Sequence, residues 1–152
     1  MHAGLVSKEV HERFQSLYDT FVLMGRPNID KRLSTVIAEL NAFEGIVTTD
    51  SCEGHPFIGK SDTLKIHCVV NKKGAEKLFG IFDTLNNILD TFGPQHRLNG
   101  FRGAVTLELR RRTRMVEFRD PVRVTEWVLQ IPVASSEEKD EFIPLLLEAI
   151  RT

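Results

Sequence analysis

The sequence lacks any apolar run close to the roughly 20 residues that a bilayer-spanning helix needs. Its first residues also lack the basic region and the long apolar region of a secretory signal. Only two cysteines occur, Cys52 and Cys68, which is too few for a disulfide framework in a chain of 152 residues. We therefore expect a cytoplasmic protein in a reducing compartment, with no membrane partner.

Charge of one sign is also lacking, since 20 lysines and arginines face 21 acidic residues and the net charge is −1. This balance excludes a global field that would attract nucleic acid or anionic membranes, although it leaves room for a local basic patch. The sequence contains no Walker or dinucleotide-binding glycine pattern, no internal repeat and no low-complexity tract. Its length and its hydrophobic fraction of 41% predict a single globular domain spanning residues 1–152.

Hydrophobic periodicity predicts an α+β fold with two N-terminal helices. Apolar residues recur at helical spacing over about residues 8–24 and again over about residues 30–41. Residues 74–92 show the same period. A last helix is expected after Ser135, where Pro144 would either kink it or mark its first turn.

Alternating residues predict an antiparallel or mixed sheet of about five strands, with helices packed on one side. The pattern is clearest over residues 63–70, where Cys68 belongs to an apolar row and His67 to a polar one. The other strands are expected at residues 43–49, on both sides of a tight connection near Arg112-Thr113, and at residues 122–133.

One stretch concentrates reactive side chains: Thr48-Thr49-Asp50-Ser51-Cys52-Glu53-Gly54-His55. It is expected to form a loop after a short strand. The hydroxyls of Thr49 and Ser51 and the backbone around Gly54 could donate hydrogen bonds to a phosphate or a carboxylate. His67, on the following strand, is the expected distant partner of this loop.

The same stretch leaves two other chemistries open. Cys52 and His55 form a C-x-x-H pair that could bind zinc together with His67, whereas Cys68 points to the opposite strand face and is expected to be a core thiol. Cys52 could also be a nucleophile beside His55, although Asp50 and a second flanking carboxylate disfavour its thiolate. The pattern favours ligand binding, and it assigns neither a metal site nor a catalytic residue.

A basic run, Arg110-Arg111-Arg112-Thr113-Arg114, predicts a local site for phosphate or RNA. Alternation places Arg110 and Arg112 on one strand face, where Lys65 and His67 are also expected. A cross-strand lattice of ion pairs is the alternative explanation for this run. The acidic residues that would form it are Glu108, Glu117 and Glu126.

The T-T-x-S-C-x-G pattern of residues 48–54, followed by His55, resembles the signature of the wybutosine-synthesis methyltransferases that act third in that tRNA modification pathway. A later strand that carries a histidine, here Leu64-Lys65-Ile66-His67, precedes a long helix, which is also similar to that family. The family has a second serine at the position of Asp50. The resemblance implies S-adenosylmethionine as a cofactor and a guanosine-derived tRNA base as the substrate.

These observations predict that the Cys52 loop and the polar sheet face bind a small anionic or nucleotide-like ligand, such as S-adenosylmethionine or an RNA element. The alternatives are a non-enzymatic regulatory protein of the phage type that forms homo-oligomers, and a zinc protein. The expected ligand-binding residues are Thr49, Ser51, Cys52, Gly54, His55, His67, Arg110 and Arg112.

Overall fold

The chain forms an α+β structure in which one antiparallel sheet packs against helices. The computed structural model describes residues 4–23, 31–52, 63–92, 105–117, 120–132 and 136–152. The elements follow in the order α1 (Lys8–Leu23), a short 3-10 turn (Lys31–Leu33), α2 (Ser34–Ala42), β1 (Ile46–Cys52), β2 (Thr63–Val70), α3 (Lys72–Phe92), β3 (Thr106–Glu117), β4 (Asp120–Pro132) and α4 (Ser136–Arg151).

The sheet has the strand order β1-β2-β4-β3, and every neighbouring pair is antiparallel. Within the described residues it has four strands, because the two strands expected around Arg112-Thr113 are the single strand β3. The connection predicted there is wrong, since β3 continues to Glu117, which pairs with Asp120. Residues 110–114 contain none of the turn-forming residues Gly, Pro, Asn or Asp, and the alternation of side chains between the two sheet faces continues through them.

One face of the sheet, which we call the core face, carries the main hydrophobic core. Leu64, Ile66, Cys68 and Val70 of β2 are all buried there, as the alternation predicted. Cys68 is confirmed as a core thiol. Burial, together with the negative charge of Glu126, raises the pKa of Cys68 to about 12 and keeps its thiol neutral. The helices that cover this face contribute Val36, Ile37, Leu40, Leu78, Ile81, Leu85, Phe142 and Leu146.

The opposite face, which we call the polar face, is partly covered by α1. Phe14 of α1 packs on Val47, Val69 and Val124, which form a second, smaller hydrophobic cluster. Helices therefore lie on both sides of the sheet, and the expectation of helices on one side is wrong. By register, the rest of this face carries Lys65, His67, Glu108, Arg110, Arg112 and Glu126.

The helix predictions are confirmed apart from details at the ends. The Ser7 hydroxyl accepts a hydrogen bond from the Val10 amide at 3.2 Å and so caps α1. α4 begins at Ser136 and continues through Pro144, so this proline does not mark the first turn. No helix in the described part of the chain is long and apolar enough to cross a membrane.

Two glycines allow β1 and α3 to meet. Gly45 has a φ of 109°, a conformation that glycine adopts without the strain of a Cβ atom. A Cβ atom on Gly74 would overlap the carbonyl oxygen of Gly45. Asn71 completes the junction, because its side-chain oxygen accepts a 2.9 Å hydrogen bond from the Gly74 amide at the start of α3. This contact fixes where β1 begins relative to the rest of the sheet.

Candidate functional site

A buried carboxylate lies at the centre of the polar face. Glu126 of β4 is 0% exposed. Arg114 of β3 donates two hydrogen bonds to it, from Nε to Oε2 at 2.7 Å and from Nη2 to Oε1 at 2.9 Å. Nδ1 of His67 lies 3.2 Å from Oε1. Because an ionised carboxylate only accepts hydrogen bonds, His67 carries a proton on Nδ1 and donates it to Glu126.

Glu126 and the residues around it come from all four strands. We call Thr49, Asp50, His67, Arg114 and Glu126 the carboxylate cluster. Nη2 of Arg114, on the edge strand β3, lies 3.9 Å from Oδ2 of Asp50, on the opposite edge strand β1. By register, Asp50 lies level with Glu108, six residues before Arg114 on β3, so a flat sheet would separate the two residues by three inter-strand spacings of about 4.8 Å and by about 20 Å along the strands. The contact therefore requires the sheet to curve toward the polar face, with the cluster in the concavity.

A β-bulge in β1 brings two of these side chains to the cluster. Thr48 pairs with Cys68 and Asp50 pairs with His67, so β1 has one extra residue, Thr49, between two consecutive residues of β2. Such a bulge reverses the alternation of the residues that follow it. As a result Thr49 and Asp50 both lie on the polar face. Thr48 instead faces α2, where Asn41 donates a 2.7 Å hydrogen bond to its hydroxyl.

The electrostatics of the cluster favour an ionised Glu126. Burial alone would raise the pKa of Glu126, but the hydrogen bonds from Arg114 and His67, the nearby Thr49 hydroxyl and the charge of Arg114 outweigh it and lower the pKa to about 2. The Thr49 hydroxyl oxygen is buried and makes no hydrogen bond of good geometry with any described residue. Thr49 therefore lowers the pKa of Glu126 through the dipole of its hydroxyl group. The hydrogen bond to Glu126 raises the pKa of Arg114 in return.

This arrangement makes Glu126 an anchor and fixes the position of His67, whose side chain is 6% exposed. Glu126 stays ionised near neutral pH with both oxygens engaged, so it is poorly suited to general acid or base catalysis. His67 uses Nδ1 for Glu126, which fixes the orientation of its ring. Nε2 of His67 is then the ring nitrogen that remains for a contact with a ligand.

The structure brings together some of the ligand-binding residues that were predicted from residues 48–55 and from β2. Thr49 and His67 belong to the carboxylate cluster. Cys52 pairs with Lys65 at the end of β1 and shares its face, whereas Ser51 pairs with Ile66 and belongs to the core-face side. Thr48 to Cys52 are strand residues, so the loop predicted there is wrong. Gly54 and His55 lie outside the described residues.

The two arginines chosen from the basic run lie on the polar face. Arg110 is opposite Glu126 in the β3–β4 ladder, and Arg112 is opposite Val124. Arg110 also makes a 3.3 Å ion pair with Glu108 of its own strand. Arg112 is exposed and has no ion pair with any residue that the structure describes. Of the predicted cross-strand lattice, the pair between Arg114 and Glu126 is present, whereas Glu108 pairs within its own strand.

The two central residues of the site, Arg114 and Glu126, were not among the predicted ligand-binding residues. A signal for Glu126 was present, because it is the one charged residue in the row Val122, Val124, Glu126, Val128. A carboxylate inside an apolar row of a strand is a candidate for burial with a charged partner. Arg114 is in phase with Arg110 and Arg112, so it was the available partner on the neighbouring strand.

The described residues do not form a metal centre. No three His, Cys, Asp or Glu side chains among them come together as a metal-binding group. Within the carboxylate cluster, the guanidinium of Arg114 already occupies the position between Glu126 and Asp50 where a cation would lie. Comparison of the chain with protein-family models, with curated proteins and with solved structures found no match to any of them.

Proposed function

We propose that the polar face binds a phosphate-bearing, nucleotide-like ligand, and that an RNA element is the form of it that fits best. The observation that carries this proposal is that Arg114 is engaged by Glu126 while two other cations of the polar face are not engaged by any described carboxylate. The buried Glu126 neutralises Arg114 and holds it in place, whereas Arg112 and Lys65 have no ion pair with any described residue. The positive charge of the latter two is therefore available to an anion.

The spacing of these two cations favours an extended ligand. Lys65 pairs with Gln130, and Gln130 pairs with Thr106, which lies six residues before Arg112 on β3. At about 3.4 Å per strand residue, the backbone positions of the two residues are offset by about 20 Å along the strands. Such an offset favours several consecutive phosphates of an RNA strand over one phosphate group as the ligand.

The end of β1 supplies the second part of the proposal. By register, Cys52 and Asp50 face the same side as His67, next to the proposed RNA path. The resemblance of residues 48–54 to the wybutosine-synthesis methyltransferases supports S-adenosylmethionine as the ligand at this end. Transfer of a methyl group from S-adenosylmethionine to a base of the bound RNA would then be the reaction, with S-adenosylhomocysteine as the second product and His67 as a polar contact through Nε2.

Calorimetric titration with bulk tRNA at several salt concentrations tests RNA binding. We expect the logarithm of the affinity to fall linearly with the logarithm of the salt concentration. Arg112→Gln and Lys65→Gln should each weaken binding and reduce this slope by about 1. Lys72→Gln is the matched control, because Lys72 is exposed at the start of α3, away from the polar face.

Absence of tRNA binding at low salt, or an equal loss in the Lys72 variant, would reject the RNA proposal. A separate titration with S-adenosylmethionine examines the cofactor. Heat released on mixing with wild type, and lost in Asp50→Ala, is the expected result. If wild type binds tRNA but not S-adenosylmethionine, the protein is an RNA-binding protein and the methyl-transfer part of the proposal is wrong.

A further inference from the structure

We infer that β3 pairs with β3 of a second copy of this chain, in an antiparallel register centred on Leu109. β3 is an edge strand of 12 residues, and no described residue pairs with its outer side. An edge of this length presents alternating unpaired N–H and C=O groups to a partner strand. Every other molecule of this protein carries an identical β3 edge that could be this partner strand.

An apolar patch lies beside this edge. Leu109 is 44% exposed and Phe79 is 45% exposed, the two large hydrophobic side chains that stand out most in the described part of the chain. Phe79 packs edge-on against Trp127, with ring centroids 5.2 Å apart, and Trp127 is the neighbour of Leu109 in the β3–β4 ladder. The patch therefore lies on the core-face side of the sheet, where pairing of two β3 strands would bring two copies of Leu109 into contact.

Charge complementarity selects the register. When a two-fold axis passes through Leu109, Glu108 of each copy lies opposite Arg110 of the other copy on the polar face. Both pairs are of opposite charge, and directly opposite residues on antiparallel strands are close enough to interact. Within one chain Arg110 already points toward Glu108, with Nη2 and Oε2 3.3 Å apart. The second copy would add the equivalent contact across the interface.

Each neighbouring register places like charges opposite one another. A two-fold axis through Arg110 pairs Glu108 with Arg112 of the second copy, but it also places two copies of Arg110 against each other at the axis. An axis through Arg111 places Arg110 against Arg112 of the second copy, and an axis through Glu108 places two glutamates together. Charged side chains along an edge normally keep strands apart. Of these registers, the one centred on Leu109 pairs opposite charges and places no like charges opposite one another.

This pairing would join two sheets of four strands into one sheet of eight. Because the axis is perpendicular to the sheet, the polar face of one copy continues into the polar face of the other. The core faces continue in the same way, with the Phe79 and Leu109 patch at the junction. The inference does not depend on RNA binding, since it uses the β3 edge and the side chains beside it.

Light scattering during size-exclusion chromatography at several protein concentrations tests the interface. Wild type should show twice the chain mass. Leu109→Lys should show the mass of one chain, because two lysines would meet at the axis. Glu108→Arg and Arg110→Glu should each do the same, since each places like charges opposite one another. Glu76→Arg on the exposed side of α3 makes the same change in charge as Glu108→Arg and should stay dimeric.

Mixing the two charge variants tests the register itself. A chain with Arg at 108 and Arg at 110 complements a chain with Glu at both positions, so an equimolar mixture should recover the dimer that neither variant forms alone. Far-ultraviolet circular dichroism checks that each variant is folded. A monomeric wild type at every concentration, or a dimer that persists in Leu109→Lys and in both charge variants, would overturn the inference.

Discussion

At the scale of single residues, Glu126 links the stability of the sheet to the groups that hold its charge. A buried carboxylate gains little net free energy from its partners, because the ion pair only offsets the cost of desolvation. Loss of one member is different, since it leaves the other charge buried without a partner. The cluster should therefore respond far more to a single substitution than to a paired one.

We expect Glu126→Leu to destabilise the protein by about 3 kcal/mol or more, because Arg114 would lose both of its hydrogen bonds to the carboxylate. The double variant Glu126→Leu with Arg114→Met should recover a large part of this loss. Urea unfolding followed by circular dichroism measures both. Glu44→Gln is the control, since its exposed pair with Lys73 should change stability by less than about 1 kcal/mol. A double variant no better than the single one would contradict the account.

The pH dependence follows from the same carboxylate. The pKa of Glu126 falls from 4.5 to about 2 on folding. Its contribution to stability is therefore fully present above about pH 4.5 and is lost as the pH falls toward 2. The size of this contribution is on the order of 3 kcal/mol. Urea midpoints measured across this range should fall more steeply for wild type than for Glu126→Gln, and parallel curves would contradict the assignment.

At the scale of secondary-structure elements, local patterns predicted most of the fold. α1, α2 and β2 follow periods that are visible in the sequence, and β2 begins and ends at the predicted residues Thr63 and Val70. The position of α1 on the polar face was not predicted, because helices were expected on one side of the sheet only. β4 carries an apolar row on each face, and Val124 of the row on the polar face is covered by Phe14 of α1.

The site was predicted less completely because its contacts depend on register. With a turn at Arg112-Thr113, Arg114 would belong to a different strand and could not be placed beside Glu126. The hairpin instead joins Glu117 to Asp120, which places Arg114 on the strand next to Glu126. The bulge at Thr49 could not be predicted either, since it is a property of how β1 pairs with β2.

Two glycines of α3 provide a test at the level of this element. We expect Gly74→Ala to destabilise the protein by more than about 2 kcal/mol, because the new methyl group would overlap the carbonyl of Gly45. Gly80→Ala should stabilise it by about 1 kcal/mol, because this position has open space around it and alanine is the better helix former. Thermal unfolding measures both. Two changes of the same sign would show that the β1–α3 junction is not as tight as described.

At the scale of the whole molecule, the polar face of the sheet carries both buried and solvent-accessible charges. Helices α2, α3 and α4 cover the core face, and α1 covers part of the polar face. Glu126 lies beneath this surface and is held by groups from the three other strands. Lys65, Arg110 and Arg112 lie above it, where solvent reaches them. The proposed RNA binding uses Lys65 and Arg112, whereas Glu126 is engaged with Arg114 inside the protein.

The depth of Glu126 has a consequence for ionic strength. Salt shortens the Debye length from about 10 Å at 0.1 M to about 3 Å at 1 M, which screens exposed charges and scarcely reaches buried ones. We expect the urea midpoint in sodium chloride to change little over this range while tRNA binding is lost. A midpoint that falls together with the affinity would contradict this. The polar face could thus release an anionic partner as ionic strength rises, while the concave surface that received it keeps its form.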